Sequence, residues 1–130
     1  MKNKLILFTL LTSFVLGSAF MVDADRWVII GQKEANFGTD LDILRVNGND
    51  IFKAVKLKVV DSGLNMKDFN IVFENGERMN VPIQKNFSQG EESRVIDLPG
   101  KRRRIDRFEF IYDTKGVLRG KANVIVFGRK

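Results

Sequence analysis

Four consecutive cations, Lys101-Arg102-Arg103-Arg104, follow a Pro99-Gly100 turn and make the densest charge in the chain. Lys101, Arg102 and Arg104 are candidate anion-binding residues, because arginine offers a planar donor fork to phosphates, sulfates and carboxylates and lysine offers a compact point charge. The competing reading is a solvated hairpin tip, with Arg103 or Arg104 paired to Asp97 or Asp106 across the turn. Asp40 and Asp42, separated by Leu41, form the best carboxylate pair. In an extended segment both project to one face and could share a hard cation such as calcium. No Asp-x-Asp-x-Asp-Gly loop surrounds them, so the alternative is a turn cap at Asp40 and a solvated or ion-paired strand residue at Asp42. Glu74 and Asp106 have the residue types of a glycosidase pair, with nothing in the sequence to bring them together. Trp27 and Tyr112 could stack on a sugar ring, but both sit in apolar strand patterns and are expected in the core.

The residues that are absent exclude more than those present select. The chain has no histidine and no cysteine. Ser-His-Asp and Cys-His catalysis and most zinc sites are therefore excluded, since each needs an imidazole or a thiolate. Neither a Walker loop nor a dinucleotide fingerprint occurs, and no cofactor is implied. An enzyme built from this chain would have to work with carboxylates, lysine or tyrosine.

The elements that must position these side chains begin after residue 24. Lys2 and Lys4, the apolar run from Leu5 to Leu16, and Gly17, Ser18 and Ala19 read as a signal peptide over residues 1–24, cleaved after Ala24 or after Ala19. That run is shorter than the ~20 residues of a spanning helix, and residues 25–130 contain no transmembrane segment. These 106 residues suffice for one small domain. A cysteine-free exported domain must hold together by its core alone, which suits a periplasmic or secreted bacterial protein. Charge is uneven: residues 25–93 hold 9 Lys and Arg against 11 Asp and Glu, whereas residues 94–130 hold 11 against 4. A basic last third of this kind concentrates anionic partners near it.

Apolar residues alternate with a period of two and never with a sustained helical period. Val55, Leu57 and Val59 share one strand face, as do Phe69, Ile71 and Phe73, then Met79, Val81 and Ile83, then Phe108, Phe110 and Tyr112, and finally Ala122, Val124 and Val126. Arg26–Gly31, Asp42–Val46 and Arg94–Leu98 read as further short strands. Asn47-Gly48 and Asn75-Gly76 predict hairpin turns. Pro82 cannot donate to a ladder, so its strand should lie at an edge or carry a bulge. Seven or eight strands at roughly ten-residue spacing predict an all-β fold, a single antiparallel β-sandwich with Greek-key or jelly-roll connections.

At this point the chain resembles a family of small exported bacterial proteins, with members in enteric bacteria, classed as a domain of unknown function. The resemblance rests on Trp27 to Gly31, Asp40-Leu41-Asp42-Ile43, Phe73-Glu74-Asn75-Gly76, and Arg94, Ile96-Asp97-Leu98, Gly100, Arg103, Ile105, Phe110 and Tyr112, with a closing Val126-Phe127-Gly128. It implies a compact exported β-sandwich and no activity. Within its pattern Trp27, Arg94, Asp97, Gly100, Arg103 and Tyr112 read as structural, and Lys101, Arg102 and Arg104 as additions to it. The function expected is an exported, non-catalytic module that binds an anionic glycan, lipopolysaccharide or another envelope polymer through its basic last third. Export argues against intracellular nucleic acid, and no aromatic residues interleave the basic run as a single-strand groove requires. The alternatives are a small carboxylate-dependent carbohydrate-active or lytic enzyme, and a subunit of a surface assembly that pairs through an open strand edge.

Overall fold

The computed structural model describes residues 26–35, 41–100, 102–112 and 121–130. The expected signal peptide, Asp40, Lys101 and the turn expected at residues 113–116 lie outside the described residues.

Eight strands follow one another: β1 (Trp27–Glu34), β2 (Leu41–Arg45), β3 (Ala54–Val60), β4 (Leu64–Phe73), β5 (Arg78–Phe87), β6 (Ile96–Asp97), β7 (Ile105–Tyr112) and β8 (Asn123–Arg129). No helix occurs among the described residues. The strands form two four-stranded sheets, ordered β1-β8-β3-β6 and β2-β7-β4-β5, and every pairing is antiparallel. This is the jelly-roll order, in which strands from the two ends of the chain interleave within each sheet. The expected β-sandwich is thus present, with the jelly-roll connection.

Of the two expected Asn-Gly hairpins, one forms. At Asn75-Gly76 the chain reverses between β4 and β5, Gly76 takes φ +94°, and Phe73 accepts from the Gly76 N–H at 2.9 Å. The Asn75 side chain adds a bond from the Glu77 N–H at 3.0 Å. Asn47-Gly48 does not close a hairpin. Gly48 takes the left-handed conformation (φ +102°) that the dipeptide favours, but the bend carries the chain from β2 to β3 in the opposite sheet. β2 pairs with β7, where Leu44 lies opposite Phe108, and β3 pairs with β8, where Leu57 lies opposite Val126.

The inner faces meet in the core. Val55, Leu57, Val59, Val124 and Val126 come from one sheet, and Phe69, Ile71, Phe108, Phe110 and Tyr112 from the other. Phe69 stacks on Phe108 and Phe110 at centroid distances of 5.5 and 5.4 Å, and Phe110 continues the stack to Tyr112 at 6.4 Å. Tyr112 is the core residue the alternation predicts. β8 runs so close to this layer that a Cβ on Gly128 would lie 2.6 Å from Phe52 and 2.7 Å from Ile30. Pro82 satisfies both of its expected conditions: β5 is a sheet edge, and the β4–β5 register shifts between Met66 and Asp68, opposite it.

Trp27 departs from expectation. A register shift between Ile29 and Gly31 lets Val28 and Ile30 pack toward the core. Trp27 and Ile29 are left on the outer face, with Trp27 half-buried and Ile29 63% exposed. The β-branched run at the strand start has two sides, and the core takes the one without the tryptophan.

Candidate functional site

At one end of the sandwich the basic run is held by its third member. The backbones of Arg103 and Phe52 exchange two hydrogen bonds, each 2.9 Å. The Arg103 guanidinium lies 3.9 Å from the Phe73 ring centroid, ion-pairs with Glu77 and donates to the Pro99 carbonyl at 3.3 Å. Its hydrogen bond holds the Glu77 carboxyl below the ordinary glutamate range, and Asn75 adds to the effect. The Arg103 side chain is only 17% exposed and is engaged by these contacts within the fold. The alternation that ties Arg103 down turns Arg102 and Arg104 outward, and both are exposed.

Two open hollows flank Arg102. One, of about 260 Å³, is lined by Ile51, Phe73, Glu74, Asn75 and the three arginines. The other, of about 360 Å³, is lined by Asn49, Asp50, Ile51, Lys53, Arg102 and Lys130. With Arg103 already paired to Glu77, they present four further cations, Arg102, Arg104, Lys53 and Lys130, against two carboxylates, Glu74 and Asp50, and Asp50 already faces Lys130 at 3.3 Å. Arg104 donates to the Asn49 carbonyl at 3.3 Å. Among the described residues Arg102 has no ion-pair partner. The ion pairs expected across the turn do not form. Asp97 faces Arg129 at 3.9 Å, while Asp106 faces Arg107 at 2.7 Å and Arg45 at 3.7 Å. Arg94 reaches toward β5, with Nη2 at 3.5 Å from the Pro82 carbonyl.

Asp42 is not the solvated residue expected: it is 6% exposed and lies opposite Phe110 in the register, on the inner side of β2. The Asp42 charge neighbours the buried Tyr112 hydroxyl, and burial first and that charge second push the Tyr112 pKa up. A polar pair at the rim of the core explains why a carboxylate tolerates an inward strand position. Among the described residues no group of three potential metal ligands occurs. Glu74 lines the smaller hollow, whereas Asp106, on β7 of the same sheet, is engaged by Arg107 and Arg45. The two do not share a pocket.

Sequence reasoning did not foresee the outer face of β1-β8-β3-β6. Trp27 lies opposite Arg129, and Ile29 and Lys56 lie opposite Phe127 from either side. The Lys56 ammonium sits 4.7 Å from the Trp27 centroid and 5.8 Å from that of Phe127, and meets Glu92 at 3.0 Å. The Arg129 guanidinium stands 5.2 Å from the Trp27 centroid. The signal was available: if Val124 and Val126 face inward, then Ile125, Phe127 and Arg129 must face outward. The outer face of the other sheet is also charged, but its named cations are all ion-paired. Glu109, 6% exposed, is bridged by Arg78 and Arg107, and Arg107 and Arg45 share Asp106.

A family model described as a domain of unknown function, DUF2541, matches residues 5–128. The chain belongs to this family. Comparison with curated proteins gives no match. Among solved structures, AlgX of Pseudomonas aeruginosa superposes with a TM-score of 0.52 at 11% identity over 82% of this chain. The chain spans 27% of the AlgX chain's length. A variant of a family 29 carbohydrate-binding module gives 0.44 at 12% identity, over 79% of this chain and 91% of its own. At these identities the likeness is one of fold.

Proposed function

We propose that this DUF2541 protein is an exported, non-catalytic module, periplasmic or secreted, that holds an anionic envelope polymer or glycan at its basic end. The observation that carries the reading is Arg102. It stands exposed between two adjoining hollows in which, with Arg103 paired to Glu77, the remaining cations outnumber carboxylates four to two. With no carboxylate partner among the described residues, its guanidinium keeps a donor fork for a ligand oxygen, and open hollows on both sides leave room for a chain to pass. Lys53, Arg104 and Lys130 add charge around it, as lipopolysaccharide phosphates or glycan carboxylates require. A carboxylate-dependent hydrolase is less well supported, because Asp42 is buried against Tyr112 and Asp106 is engaged by two arginines.

The test is co-sedimentation of residues 25–130 with purified envelope fractions across a salt series, beside a variant carrying Lys101→Ser, Arg102→Ser and Arg104→Ser. Binding is expected to fall steeply with salt, as exposed charge contacts do, and to be lost in the variant. Salt-insensitive binding, or binding retained by the variant, would overturn the reading.

A further inference from the structure

The outer face of β1-β8-β3-β6 carries an arrangement that the basic end does not use. Side chains on this face form rows across the strands, spaced about 6.8 Å apart along them. The terminal row holds Trp27 and Arg129, and the next holds Ile29, Phe127 and Lys56. Two cations thus lie against one indole, with a second aromatic ring and an exposed isoleucine beside it. Their carboxylate neighbours, Glu92 and Asp97, are solvent-exposed, and exposed pairs of this kind exchange readily for a competing anion. The face is continuous with the basic end. Arg129 belongs to the face and Lys130 to the hollow at Arg102, and the Lys53 N–H donates to the Arg129 carbonyl at 2.8 Å.

We infer that this face is the sugar-reading part of the site, and that the polymer is an acidic polysaccharide, a chain of pyranose rings bearing carboxylates, laid from the Arg102 hollow along β8. The inference rests on the basic-end reading and deepens it by naming the ligand class. A pyranose ring has an apolar C–H face that packs on an indole, and its carboxylate then meets Lys56 or Arg129 at the ring's edge. A polyphosphate or a phosphate headgroup matches the charge but has no apolar ring face for Trp27. Charge complementarity selects the acidic sugar over a neutral one, and the aromatic face selects it over a bare polyanion.

The experiment titrates the full chain with polygalacturonate, inorganic polyphosphate and neutral dextran, using Trp27→Ala, Trp27→Leu and the pair Arg102→Ser/Arg104→Ser, each checked by thermal unfolding. Trp27→Leu keeps an apolar cover on the sheet, so the test survives if the alanine variant fails to fold. Polygalacturonate is expected to bind most tightly and dextran not at all. Both Trp27 variants should weaken polygalacturonate about tenfold and leave polyphosphate unchanged, whereas the arginine pair should weaken both. Equal binding of the two polyanions, with Trp27→Leu affecting neither, would overturn the sugar-reading face and leave the basic end standing. Polygalacturonate binding that needs Trp27 but survives loss of Arg102 and Arg104 would overturn the basic end and leave the face standing. Binding of none of the polymers would overturn both.

Discussion

The outer face of β2-β7-β4-β5 and the end around Arg102 are built from the same residue types and do opposite things with them. On the face, Arg78, Arg107 and Arg45 alternate with Glu109 and Asp106 in a ladder across the strands. Burial pushes the Glu109 carboxyl up, but the hydrogen bonds and charges of Arg107 and Arg78 prevail and hold it below the ordinary glutamate range. That region is satisfied internally. Around Arg102 the acids run out, and the surplus charge faces solvent. The contrast recurs within a single run: Arg103 is consumed by Glu77, Phe73 and Pro99, while its neighbour Arg102 is not. A site is marked by the charge left over after pairing, not by the charge in the sequence.

The comparison can be broken first at the core both regions stand on. Phe108→Ala removes a ring stacked on Phe69 from the strand that carries Arg107 and Glu109, and should cost about 4 kcal/mol in urea unfolding. A cost below about 1 kcal/mol would mean that this core does not fix the faces. Glu109→Gln leaves Arg78 without its carboxylate and Arg107 with Asp106 alone, and is expected to cost about 2 kcal/mol at neutral pH. The same residue sets a pH dependence. Its folded pKa is depressed, so its stabilisation is complete above the unfolded value of about 4.3 and is lost as pH falls through the lower folded value. Thermal melts should show the wild type losing more stability than Glu109→Gln as the solution is acidified below that value. Arg103→Ala, which unpacks Phe73 and frees Glu77, should cost about 1 kcal/mol. Arg102→Ser with Arg104→Ser should change stability by less than about 0.5 kcal/mol, since both side chains are exposed and, among the described residues, the hydrogen bond they make is that of Arg104 to the Asn49 carbonyl.

Much of the architecture was legible because alternation in a strand is a strong signal. The inward sets from Val55 to Val59, Phe69 to Phe73, Phe108 to Tyr112 and Ala122 to Val126 are all buried. Pro82 announced an edge. The Asn47-Gly48 hairpin failed because a dipeptide fixes local dihedrals and not the partner of the strand it precedes. Trp27 was misplaced because a bulge between Ile29 and Gly31 decides which side of the start of β1 faces inward, and bulges leave little trace in a sequence. Asp42 was misread for the converse reason: its partner Tyr112 is seventy positions away, and only the sheet register brings a hydroxyl to an inward carboxylate. At the basic end the run itself was plain, but the division of labour between Arg103 and Arg102 depends on Glu77 and Phe73 from the β4–β5 hairpin.

The most direct test removes equal charge from the two regions and measures binding to the same envelope fractions at low salt. One protein carries Arg102→Ser and Arg104→Ser, the other Arg45→Ser and Arg78→Ser, and both are confirmed folded by thermal melting. The account predicts that the first loses binding while the second retains it, at some cost in stability. Equal losses would contradict it, because binding would then follow net charge and not the placement of Arg102 and Arg104 at the end of the sandwich.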